Sequence, residues 1–88
     1  MYLQKVNATT AELMYDLYRD FGFPDDYIKN LTVYVVMQDG NLALNAQGKP
    51  TLTAFSDDEL KFELSHKNYQ KVITDPEIDL VSWRNAHE

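Results

Sequence analysis

The chain contains no cysteine, which excludes disulfide staples, a thiol nucleophile and every thiolate metal site, zinc ribbons included. Histidine is almost absent too: His66 and His87 stand 21 residues apart, without the short spacing of a ligand pair, so no metal site is expected. The only glycines, Gly22, Gly40 and Gly48, are too scattered for a phosphate-cradling loop or a dinucleotide fingerprint. Basic residues are few, eight against fourteen acidic ones, for a net charge of −6. That is the wrong sign for gripping a phosphate backbone, so nucleic acid is excluded as a partner. No apolar run approaches the roughly 20 residues of a membrane span, and the segment from Met1 to Asn7 does not lead from basic into apolar residues. Neither a membrane anchor nor a signal peptide is expected, and the expected location is cytoplasmic.

What is present reads as one folded domain over residues 1–88. A chain of 88 residues has the length of a single small core, and 44% hydrophobic with 25% charged residues is the composition of a globular chain. The acidic excess is uneven, with −1 over residues 1–23, −1 over 24–55 and −4 over 56–88. Such a surface serves solubility or attracts a basic partner, and both readings stay open.

Helical spacing of Leu13, Met14, Leu17, Tyr18 and Phe21 predicts a helix over about Thr10 to Phe21, with those residues inward and Glu12, Asp16, Arg19 and Asp20 outward. Thr9 and Glu12 read as its capping box, Gly22 and Pro24 as its stop. Residues 23–30 form a connector in which Tyr27 and Ile28 face inward. Leu31 to Met37 is a β-branched and aromatic run ending in the turn Gln38-Asp39-Gly40-Asn41, which predicts a strand and hairpin. Leu42 to Ala46, the turn Gln47-Gly48-Lys49-Pro50 and Thr51 to Phe55 continue it as a meander.

At Ser56-Asp57-Asp58-Glu59 two readings compete. The segment is a capping-box pattern, with Phe55 and Leu60 as a staple. A helix onward from Leu60 has no apolar stripe, however, whereas Leu60, Phe62 and Leu64 alternate with Lys61, Glu63 and Ser65. The alternation favours a strand with Ser56 to Glu59 as its turn. Ser65 then caps a short helix, His66 to Thr74, closed by Asp75-Pro76. A last strand follows from Ile78 to Trp83.

Catalytic constellations are missing. Ser56, Ser65 and Ser82 lack a nucleophile-elbow context, and the pairs Asp25-Asp26 and Asp57-Asp58 sit in turns. Most of the aromatic residues fall on faces expected to be buried, with Trp83 and Tyr34 as exceptions at strand ends. No catalytic residue is assigned. His66, Lys67 and Lys71 stand out in an acidic chain beside Ser65 and Asn68. At a helix start they form either a one-phosphate site or a solvated face with an ordinary cap.

Read in order, Leu42-Ala43-Leu44-Asn45, Gln47-Gly48-Lys49-Pro50, Thr51 to Phe55, Leu60 to Ser65, His66 to Ile73 and Asp75 to Trp83 resemble the pyridoxamine-5′-phosphate-oxidase-like family of FMN-binding split barrels. The resemblance covers about residues 42–83. It implies a small, usually dimeric antiparallel barrel that holds FMN with its phosphate near the short helix and the preceding strands. By that resemblance Thr53, Ser65, Lys67, Asn68 and Lys71 are the cofactor-binding residues, and the chemistry belongs to the flavin. Thr51-Leu52-Thr53 stands where the family commonly has an arginine.

The expected fold is therefore α+β: an N-terminal helix on a mainly antiparallel five-stranded sheet or small partial barrel, with a short helix before the last strand. The expected function is a shortened or divergent split-barrel protein that binds a flavin or other phosphate-bearing ligand, as a homodimer whose second copy completes the pocket. The rival is a non-enzymatic acidic interaction module, a small regulator or inhibitor of a protein partner.

Overall fold

The computed structural model describes residues 1–82. The chain runs β1 (Tyr2–Val6), α1 (Ala8–Asp20), α2 (Asp25–Ile28), β2 (Thr32–Gln38), β3 (Asn41–Leu42), β4 (Leu52–Phe55), α3 (Asp57–Ser65) and β5 (Val72–Ile78). The α+β expectation holds. The N-terminal helix packs on a five-stranded, mostly antiparallel open sheet, and a short helix precedes the last strand.

The sheet is organised around β2, whose Val33 to Met37 are all buried. One of its edges pairs antiparallel with β1, Leu3 opposite Val36. The other edge is shared by two short antiparallel partners: β3, with Leu42 opposite Met37, and β4, with Phe55 opposite Thr32. The hairpin is where the sequence puts it, and Asp39 (φ 54°) and Gly40 (φ 82°) both have the positive φ that a tight two-residue turn requires. The expected meander is corrected: β4 returns to β2 instead of pairing with β3. Residues 43–51 leave as a small ear, closed where Asn45 N–H donates to Lys49 O and Thr51 N–H donates to Ala43 O.

Alternation along β2 gives the sheet two apolar faces. Val33, Val35 and Met37 join Val6 and Leu80 under Ala11, Met14 and Tyr15 of α1. Tyr34, Val36 and Leu3 face the other way and meet Phe55, Leu60 of α3 and Tyr69. The two longer helices therefore cover opposite faces.

Several expected elements are corrected. β1 was not among the expected strands; it lies in the sheet interior between β2 and β5, with Leu3 fully buried. Residues 57–65 are helix, not strand. The capping box decides it: Glu59 N–H donates to Ser56 Oγ at 3.3 Å, and Glu59 Oε1 accepts from Ser56 N–H at 3.4 Å. The helix carries no long apolar stripe and no fully buried residue; the half-buried Leu60 packs on the cluster of Leu3, Tyr34 and Val36. The helix expected over His66 to Thr74 is absent; residues 66–71 are turn, bend and irregular chain, and β5 begins at Val72. The last strand thus lies six residues upstream of the expected one at Ile78, and residues 80–82 are helical. The end of that expected strand, at Trp83, lies outside the described residues.

The β5 strand runs parallel to β1, with Gln4 opposite Ile73 and then Val6 opposite Ile78. The four residues Thr74 to Glu77 stand against the single Lys5, so three extra residues bulge around Pro76. The buried Gln4 side chain holds the bulge by donating to Pro76 O at 2.8 Å. An edge position tolerates proline because no outer strand needs its missing N–H.

Helix α1 begins two residues earlier than its sequence signal. Its N-cap is Asn7, whose side chain accepts from Thr10 N–H at 3.0 Å, in place of the expected Thr9–Glu12 box. Asn7 N–H is itself bonded to Ile78 O, so the sheet sets where the helix starts. This start also sets its rotation. Thr10 and Ala11, small enough for close approach, are buried, while Leu13, Leu17 and Phe21, expected inward, are 57%, 46% and 71% exposed.

Candidate functional surface

The residues expected to hold a phosphate are brought together only in part. Ser65 is the last residue of α3, not the cap of a following helix, and its Oγ donates to Phe62 O at 2.9 Å. Lys67 follows in the left-handed region with φ 58°. Its N–H donates to Leu64 O and that of Asn68 to Glu63 O, the paired bonds that close a helix C-terminus. The Asn68 amide donates onward to Glu63 Oε2 at 2.6 Å. The His66 ring stacks on Phe62, centroids 4.0 Å apart, with Nδ1 2.9 Å from Phe62 O. Lys71 stands apart, just before β5, its Nζ 5.0 Å from the centre of the Tyr2 ring. Thr53 lies on β4 opposite Tyr34.

The chemistry is the reverse of the expected one. A helix start would aim N–H groups at an anion, whereas Ser65, Lys67 and Asn68 surround a helix end, where carbonyl oxygens concentrate negative charge. Lys67 and His66 sit where cations complement that dipole. The Lys67 and Asn68 N–H groups are engaged in closing the helix, so the helix-start form of the anion site is not built here. The strained conformation of Lys67 gives a direct check. Lys67→Gly should raise stability by about 1 kcal/mol in urea denaturation, since glycine reaches φ 58° without a Cβ penalty.

One open cleft of about 250 Å³ lies beside the end of β1, with Lys5, Glu12, Tyr15, Thr32 and Glu77 among its lining residues. It is smaller than the roughly 300–1,000 Å³ of ordinary small-molecule sites. Its polar groups are largely committed: Lys5 Nζ is 3.3 Å from Glu77 Oε2, and the Tyr15 hydroxyl donates to Leu31 O at 2.8 Å. Among the described residues no three His, Asp or Glu side chains converge as a metal site, and no buried side-chain polar atom lacks a partner. Nor is any described helix long and apolar enough to cross a membrane.

The surface feature that does stand out is the outer side of α1. Leu13, Leu17 and Phe21 recur every four residues and form one apolar row along the helix. Past the helix end, Phe23 packs between Tyr18 and Tyr27 with ring centroids 5.2 and 5.7 Å away. Phe23 and Tyr27 are themselves exposed. Helical spacing places Leu13, Leu17 and Phe21 inward, and the reading of residues 23–30 as a connector places Tyr27 inward as well. The available warning was the width of the α1 apolar face: with Thr10, Ala11 and Tyr15 added it is broader than one sheet covers.

Comparison with protein-family models, with curated proteins and with solved structures finds no match to this chain.

Proposed function

We propose that this chain is a non-enzymatic interaction module that engages a protein partner through the outer side of α1 and the aromatic pair that follows it. The observation carrying this reading is the exposure of Leu13, Leu17 and Phe21 in a single row, with Phe21 at 71%. Isolated exposed apolar residues are ordinary, but a continuous row on a helix is the form in which helical surfaces recognise partners. The absence of a catalytic constellation in the sequence agrees with it.

Site-specific photocrosslinking in cells tests the reading. A crosslinking residue at position 17 should yield a discrete heteromeric product, while the same residue at position 62, exposed on α3, should not. Fluorescence titration with FMN and riboflavin tests the rival ligand reading on the same protein. Micromolar binding of FMN that is lost in Lys67→Ala/Lys71→Ala, with no crosslink at 17, would replace the interaction reading with a phosphate-bearing ligand.

A further inference from the structure

The apolar row of α1 does not stand alone. Glu12, Asp16 and Asp20 form a parallel row one residue behind it, and Asp25 and Asp26 open α2 just beyond. Residues 12–27 thus carry five carboxylates and a single cation, Arg19. Arg19 is already engaged, 2.9 Å from Asp16 and 3.6 Å from Asp25, and Lys29 sits 3.1 Å from Asp26. Glu12 and Asp20 have no ion-pair partner among the described residues. A surface of this kind combines an apolar seam with a one-signed rim.

We propose that this surface docks a cationic amphipathic segment of another protein, its aliphatic side chains against Leu13, Leu17 and Phe21 and its Lys or Arg against Glu12, Asp16 and Asp20. The proposal rests on the interaction reading above and adds the chemistry of the partner. Charge complementarity selects this occupant over two others. A second copy in a two-fold contact would set the acidic row against itself, in a chain already at −6. An anionic lipid surface would be repelled by the same row, since surface-bound helices need Lys and Arg there.

The test uses the full chain and a fluorescein-labelled leucine/lysine amphipathic peptide of about 18 residues, roughly five helical turns. Its leucine/glutamate counterpart serves as the charge control, and fluorescence anisotropy reads both. The leucine/lysine peptide should bind in the micromolar range and weaken as salt is raised. Leu13→Ser/Leu17→Ser should reduce affinity about tenfold or more. Glu12→Gln/Asp20→Asn should reduce it and flatten the salt dependence. Phe62→Ser, remote on α3, should leave it unchanged. All these positions are exposed, and unchanged circular dichroism melting will show that each variant folds.

Equal binding of the glutamate peptide, or equal affinity of the Leu13→Ser/Leu17→Ser variant, would overturn the proposal. So would sedimentation showing a dimer that this variant dissolves, because the occupant is then a second copy. A crosslinked partner at position 17 with no binding of the lysine peptide overturns the partner chemistry alone. Loss of both sinks the interaction reading as well.

Discussion

Leu3→Ala should lower the free energy of unfolding by about 3 kcal/mol, within the range of large-to-small core substitutions. Leu3 is fully buried on β1, in the cluster of Tyr34 and Val36 with Leu60, Tyr69 and Val72 packed against it. Removing its isopropyl group opens a cavity that fixed strands on both sides cannot collapse. A domain of this size is stable by on the order of 5–10 kcal/mol, so the loss takes a large share of the total. Urea denaturation should show a lower midpoint with an unchanged slope. Leu13→Ala makes the control, because helical spacing assigns Leu13 to the core whereas the structure leaves it exposed. At 57% exposure, Leu13 should change stability by no more than about 0.5 kcal/mol. A large loss at Leu13 would mean that α1 is rotated and that its outer row is not free to dock.

Thr10→Val should cost about 2 kcal/mol although the two side chains have nearly the same volume. Thr10 is fully buried, and its Oγ1 accepts from Leu80 N–H at 3.1 Å. Valine leaves that buried N–H without an acceptor, and an orphaned donor forfeits its solvation with nothing in return. Thr10→Ser keeps the oxygen and loses only a methyl group, so it should cost about half as much. This pair separates hydrogen bonding from packing. If valine is tolerated as well as serine, the bond between Thr10 and Leu80 contributes nothing. Amide exchange at Leu80 should quicken in the valine variant alone.

Thr10 also illustrates what sequence patterns miss. A threonine between Thr9 and Ala11 carries no hydrophobic signal, yet it anchors residue 80 to α1 and lets the helix approach the sheet. Strand β1 is hidden for a similar reason. Gln4 and Lys5 interrupt its apolar residues, and only the bulge at Pro76, which takes the Gln4 amide, makes the burial of Gln4 favourable. In β5, the Thr74-Asp75-Pro76-Glu77 stretch reads as a break, and it becomes part of a strand because it lies at a sheet edge.

The segment from Ser56 to Ser65 was ambiguous in principle. Its nine helical residues fit a period of two through Leu60, Phe62 and Leu64, and a helix through the capping box. Local geometry at the cap outweighed alternation there. That single choice moved the candidate site. With α3 ending at Ser65, the basic residues after it surround a helix C-terminus, and the anion site expected at a helix start has no backbone to build it.

Much was determined by local chemistry alone. The missing cysteines rule out disulfides and thiolate chemistry. The Asp39-Gly40 turn and the β-branched run before it set the hairpin, and the α+β class follows from those elements with the first helix. Tertiary structure decided which strands share the sheet, which side of α1 faces it and which apolar residues stay outside. The physical reason is one of range. A turn or a cap is satisfied by atoms a few residues apart, whereas burial is settled by the partners that the sheet brings from the far end of the chain, as Leu80 is brought to Thr10.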